Sequence, residues 1–108
     1  MDEAIATLHE ALAADPTQGR EWARLGLLLE ECGELEEAVW CFRKASNLRP
    51  FDDVVTGVFV FALERSGRHR AARDEAIRFL RLVDEMHIPI GADMHDDFEA
   101  IINKAPAS

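Results

Sequence analysis

His87, Asp93, His95, Asp96 and Asp97 set two histidines beside three carboxylates near one end of this 108-residue chain. Side chains of these types ligate divalent metals and move protons, so a hydrolytic or metal-dependent enzyme would have its centre between His87 and Asp97. The spacing works against that chemistry. Pro89 and Gly91 interrupt the run, and a carboxylate such as Asp96 at the start of a helix is already favoured by the helix dipole. Elsewhere no serine or cysteine nucleophile lies beside a base, no glycine loop could cradle a phosphate, and HExxH is absent. The sequence therefore nominates no catalytic residue, no metal and no cofactor, and the enzyme reading ranks last.

Cys32 and Cys41 flank the turn at Gly33 unequally, one just before it and one about two helical turns beyond it. Their heights differ too much for a disulfide, so they are expected as two reduced, half-buried thiols.

These residues must be positioned by helices. The apolar phase and its breakers predict helices near 2–14, 19–31, 35–47, 53–65, 69–87 and 93–103. Pro16 and Pro50 end helices by restricting the residue before them, Gly33 and Gly67 permit a left-handed exit, and Asp52 and Asp93 are expected N-caps. The fifth helix overruns because Asp84 stands where a terminating proline would. The stretch Val54–Phe61 is β-branched and in isolation reads as a buried strand. It is assigned as helix because a strand there would have no partner, whereas its phase suits the first helix of a hairpin.

That phase is a repeat of 34 residues. Ala4, Ala38 and Ala72 align at this offset, as do Leu8, Phe42 and Ala76, then Ala11, Ala45 and Phe79; Leu29 aligns with Leu63, Gly33 with Gly67, and Pro16 with Pro50. A period in this range is the mark of a stacked solenoid. Residues 19–52 carry Trp22, Leu25, Gly26, Ala38, Phe42, Ala45 and Pro50 at the spacing of the tetratricopeptide repeat (TPR), which this unit resembles. Residues 53–86 form a degenerate unit with Thr56 for the tryptophan, Val60 for the glycine, Ala76 for the large aromatic and Asp84 for the proline. Residues 1–18 match only the second helix of a unit, and 87–108 supply a linker and a C-terminal capping helix whose Phe98 is expected near Phe59 or Leu63. The resemblance implies one all-α domain, a right-handed superhelical stack of antiparallel helix hairpins with about six helices.

The resemblance also implies a binding face. In that family the first helices of the units line a concave groove, which here would comprise Arg20, Ala23, Arg24, Leu27 and Glu30, then Val54, Gly57, Val58 and Phe61. A known subset clamps a carboxylate with lysine and asparagine on this face; Ala23, Leu27 and Val58 occupy those positions, so that chemistry does not carry over. Arg20 and Arg24 remain candidates for an acidic group, against simple pairing with Glu21. Trp40, whose equivalents are Ala6 and Asp74, falls on the convex side as a possible contact anchor, the alternative being burial against the adjacent hairpin. Glu31, Glu34 and Glu36 have Arg65, Arg68 and Arg70 at the repeat offset, so stacking sets an acidic ridge beside a basic one.

Composition narrows the partners. With 21 acidic and 12 basic side chains the net charge is −9, which suits neither a phosphate backbone nor nucleic acid. No apolar run reaches the roughly 18 residues of a membrane helix, and Met1-Asp2-Glu3 lacks a signal-peptide layout, so a cytoplasmic protein without membrane insertion is expected. The reading is a protein-interaction scaffold or chaperone-like adaptor that binds an apolar peptide or amphipathic helix. The rival is a self-associating repeat domain whose apolar surfaces form a homodimer or larger homo-oligomer.

Overall fold

The computed structural model describes residues 2–104; Met1 of the expected half repeat and residues 105–108 of the C-terminal segment lie outside it. Six helices follow one another: α1 (Asp2–Ala14), α2 (Gly19–Glu31), α3 (Leu35–Leu48), α4 (Asp53–Arg65), α5 (His69–Met86) and α6 (Ala92–Asn103). Among the described residues there is no strand. Each helix packs on the next, and α2 also touches α4. The result is a stack of hairpins, α2 with α3 and α4 with α5, flanked by α1 and α6. Its extents are 39 × 31 × 19 Å. The radius of gyration of 14.2 Å exceeds the about 13 Å of a compact domain of this length, as a stack that grows in one direction should.

The turns have a common cause. After α2, Gly33 has φ 83°, and after α4 Gly67 has φ 79°. At each, the next amide reaches back to a carbonyl near the helix end, from Glu34 to Leu29 and from Arg68 to Leu63, the pattern that closes a helix through a left-handed residue. His87 does the same after α5 with φ 55°, and Ile88 N–H bonds the Val83 carbonyl. That left-handed residue ends α5 at Met86, one short of the expected end.

Helix starts are more varied. Asp52 caps α4 as expected, its carboxylate accepting from the Val55 N–H at 3.1 Å and from Arg49 Nε at 2.9 Å. Burial pushes its pKa up, but those donors outweigh it and hold the carboxyl below its ordinary value. Asp93 does not cap α6. The extended Gly91, with φ −66° and ψ 147°, occupies that position without a side-chain cap, and its carbonyl already accepts the His95 N–H, so the helix starts one residue early and Asp93 sits in its first turn.

The core runs the length of the stack. Leu25, Ala38, Phe42, Ala45, Val60, Ala62, Ala72, Ala76, Phe79 and Phe98 are all fully buried. Gly26 lies at the close approach of α2 and α3: a Cβ on it would fall 2.5 Å from Phe42 Cε1. The β-branched α4 is a helix because most of its surface is buried by neighbouring helices, Val54 and the edge of Phe61 excepted. Val55, Phe59, Val60 and Leu63 pack into the core, α3 and α5 flank it, and α2 and α6 reach its remaining face. Tertiary burial here overrides a weak helix propensity.

Candidate functional site

The first helices α2 and α4, expected to line the groove, touch each other. Arg20, Ala23, Arg24 and Leu27 on α2 meet Val54 and Val55 on α4 across a groove of about 530 Å³, with Glu21, Asp52 and Asp53 on its margin. Val54 is 66 % exposed and Leu27 43 %, which leaves an apolar floor open to solvent. Arg24 pairs with Glu21 at 3.6 Å, a contact that at this exposure is worth well under about 1 kcal/mol and leaves the guanidinium free to change partner. The acids Asp52 and Asp53 were not among the expected groove residues. They enter because the capped first turn of α4 faces the first turn of α2, a juxtaposition the 34-residue phase implies only once both helices are placed.

The far half of the expected groove is occupied by the chain itself. Met94 of α6 comes within 3.3 Å of where a Gly57 Cβ would stand. Phe98 lies edge-on to Phe61 at 6.5 Å and to Phe79 at 5.9 Å, both on the second hairpin, and shares the buried core with Phe59 and Leu63. Val58 is half-buried against the core and Phe61 is left 37 % exposed. Arg73 Nε donates to the Ile102 carbonyl at 3.0 Å, and Lys104 reaches Glu64 at 3.1 Å. Burial raises the Glu64 pKa, but the hydrogen bonds from His69 and Lys104 prevail and keep it below its ordinary value. Met94 thus lies over Gly57 and Phe98 against Phe61, while Ile101 and Ile102 pack half-buried against the core.

Glu30 is also committed. It accepts from Arg65 Nε at 2.9 Å, and Glu36 pairs with Arg68. The acidic and basic ridges face each other, joined by Arg65 with Glu30 and by Arg68 with Glu36.

Trp40, expected on the convex side, is 52 % exposed. Its ring meets the edge of Trp22 at 5.3 Å, and the Lys44 ammonium lies 5.1 Å over it. Trp22 in turn donates its indole N–H to the Pro16 carbonyl at 2.8 Å, tying α2 to the turn before it. Between α3 and α5 a second cleft of about 630 Å³ has Phe59 among its lining residues. Glu75 there accepts from Ser46 Oγ and from both Nε and a terminal nitrogen of Arg78. Those polar groups satisfy one another.

The residues of catalytic type fall apart. His87 serves the backbone turn, and His95 stands 3.8 Å from Glu99 one turn along α6. Among the described residues no group of three or more His, Cys, Asp or Glu side chains could hold a metal ion. The thiols differ from the expected pair of half-buried groups: Cys32 is exposed and Cys41 is buried. Burial, with the Glu37 carboxylate adding, pushes the Cys41 thiol up to about 11.

This geometry defines a TPR-like helical-repeat fold in which Val54 and Leu27 are left open and Gly57 is covered by α6. Two solved structures share it. MamA AMB-1 in an orthorhombic crystal form and a point mutant of MamA, a TPR-like protein, each superpose with a TM-score of 0.67 at 29 % identity over 82 % of this chain. They are matched over 51 % and 52 % of their own chains, so this chain spans about half their length. No family model and no curated relative matches it. Among the described residues no helix is long and apolar enough to cross a membrane.

Proposed function

We propose that the chain is a tetratricopeptide-type protein-interaction module, a scaffold or adaptor that takes an apolar peptide or an amphipathic helix across the groove between α2 and α4. The observation that carries this reading is the exposed pair Val54 and Leu27 on a floor bordered by Arg20, Arg24, Asp52 and Asp53. An apolar floor with a charged rim of both signs is the layout of a recognition surface, and leaving it in water costs roughly 25 cal/mol per Å². The likeness to MamA supports the scaffold reading at the level of fold. Amphipathic helices suit the groove because α6 already lies on its far half.

The test is affinity capture on the immobilised chain, wild type beside Val54→Glu, with captured proteins identified by mass spectrometry. Val54 makes so little of the core that the variant should keep the wild-type circular dichroism and melting temperature. Proteins retained by the wild type and lost by Val54→Glu support the groove. Equal retention by both overturns it. Light scattering from micromolar to millimolar protein addresses self-association: a dimer that Val54→Glu dissociates would make a second copy the ligand.

A further inference from the structure

At the 34-residue offset the two tryptophans of the first hairpin, Trp22 and Trp40, become Thr56 and Asp74. In the first hairpin the indoles meet edge-on at 5.3 Å, the Lys44 ammonium lies 5.1 Å over the Trp40 ring, and the Trp22 N–H donates to the Pro16 carbonyl at 2.8 Å. Pro16 and Lys44 correspond to Pro50 and Arg78. Pro50, Asp74 and Arg78 all line the cleft of about 630 Å³ between α3 and α5, together with the apolar Phe59, Leu63 and Ala71. The cleft therefore lies where the first hairpin keeps its indoles. Arg78 has taken over their backbone contact, since a terminal nitrogen donates to the Pro50 carbonyl at 3.3 Å as Trp22 does to that of Pro16.

We propose that the α3–α5 cleft is a docking site for a tryptophan side chain of a partner protein, which takes the place of the indoles that the second hairpin lacks. The repeat specifies the ring, and the lining specifies its contacts. The Arg43 guanidinium lies 5.6 Å over the Phe59 ring and forms no ion pair among the described residues, so this exposed cation can take a second ring as Lys44 takes Trp40. Asp74 is exposed and equally unpaired among the described residues, which leaves its carboxylate to accept an indole N–H. A phenylalanine has no such proton to give. Glu75 is already held by Ser46 and Arg78. Asn47 on the same lining offers an amide donor and acceptor to a main chain, which favours a residue within a polypeptide over a free amino acid. A second copy's Trp40 is disfavoured because its ring already holds Trp22 and Lys44. Tryptophan is among the residues that most often anchor an interface from such a pocket. The site is distinct from the groove at Val54, and no residue lines both.

The test is an NMR titration of the isotope-labelled full chain with N-acetyl-tryptophanamide, which presents the side chain as a peptide does. The expected result is saturable shifts of amides within 43–50 and 71–78 at millimolar probe. Asp74→Trp restores the residue of the first hairpin and should abolish binding by filling the cleft; Asp74 is exposed, so the variant should keep the wild-type circular dichroism. Asp74→Ala, and a probe methylated on the indole nitrogen, should each weaken binding about fivefold through the loss of one hydrogen bond. Absence of saturable shifts overturns the proposal, as does equal binding of N-acetyl-leucinamide or undiminished binding by Asp74→Trp. Free tryptophan that binds as tightly as the amide overturns it in favour of a small-molecule ligand. Shifts confined to 20–27 and 52–55 also overturn it, and would put the indole in the α2–α4 groove with the preceding reading intact. Dimerisation of the unliganded chain that Trp40→Ala abolishes overturns it in favour of a second copy.

Discussion

The hairpins α2–α3 and α4–α5 close on the same plan with the sizes exchanged. In the first, the small residue Gly26 is on the leading helix and the large Phe42 on the returning one; in the second, the equivalent positions hold Val60 and Ala76. Phe42, Val60 and Ala76 are fully buried and Gly26 is buried. What recurs is the combined volume across the interface, not the residue at either position. The unit 53–86 departs from the repeat pattern and still buries Val60 and Ala76 completely, although its two helices approach each other over a shorter stretch than α2 and α3 do. One exchange is uncompensated. Trp22 bonds the Pro16 carbonyl, whereas Thr56 in its place is fully buried with its hydroxyl unpartnered among the described residues.

The largest effects should come from breaking one side of the exchange. Phe42→Ala removes a ring from a fully buried site and should cost about 3–5 kcal/mol, read as a fall in the urea midpoint. Gly26→Leu puts a side chain where Phe42 already lies and should cost about 1–3 kcal/mol or more. The double variant Gly26→Val with Phe42→Ala transplants the α4–α5 solution, so it should be markedly more stable than the sum of its single changes. A cycle with no coupling would show that the hairpins are closed by unrelated contacts.

The two ends of α4 differ as well: Val54 is exposed, whereas Phe61 lies against α6. Phe98 is fully buried between Phe61 and Phe79, so Phe98→Ala should cost about 3 kcal/mol. Phe61→Glu should lower the melting temperature by setting a carboxylate at the edge of that ring. Val54→Glu, on the open half of the same helix, should not. If Phe61→Glu and Val54→Glu melt alike, α6 contributes little to the stack.

Particular residues explain why most of the fold was legible in the sequence and part of the site was not. Pro16, Gly33, Pro50 and Gly67 act locally, through backbone sterics, so the ends of the first five helices could be placed within a residue. The α4 assignment required the repeat, since Val54–Phe61 taken alone favours a strand and the burial of Val55, Phe59, Val60 and Leu63 among neighbouring helices makes it helical. Past Asp84 the phase is lost. Nothing local then says which face Phe98 will choose, because that depends on where Phe61 and Phe79 converge in three dimensions.

Thr56 offers a gain where the other changes give losses. Its hydroxyl is buried without a partner, and desolvating such a group costs about 1–3 kcal/mol. Thr56→Val keeps the branched shape and removes the polar atom, so it should stabilise the chain by about 1 kcal/mol in urea denaturation. An unchanged or lowered midpoint would mean that the hydroxyl finds a hydrogen bond, and that the second hairpin compensates for its missing tryptophan after all.

The smallest effects concern the turns. Gly33 and Gly67 leave their helices with φ of 83° and 79°, and His87 leaves α5 with φ 55°. A left-handed conformation disfavours a residue with a Cβ by about 1 kcal/mol or more, and glycine gives back part of that advantage through the greater freedom of its unfolded chain. His87→Gly should therefore stabilise by about 0.5 kcal/mol, while Gly67→Ala, with nothing within 4 Å of its Cβ position, should destabilise by about 1 kcal/mol through backbone strain alone. Opposite signs in paired urea titrations would establish that all three turns close by the same left-handed geometry. If His87→Gly is instead destabilising, the imidazole itself holds the α5–α6 turn, and the packing of α6 against Phe61 depends on a side chain that the repeat does not supply.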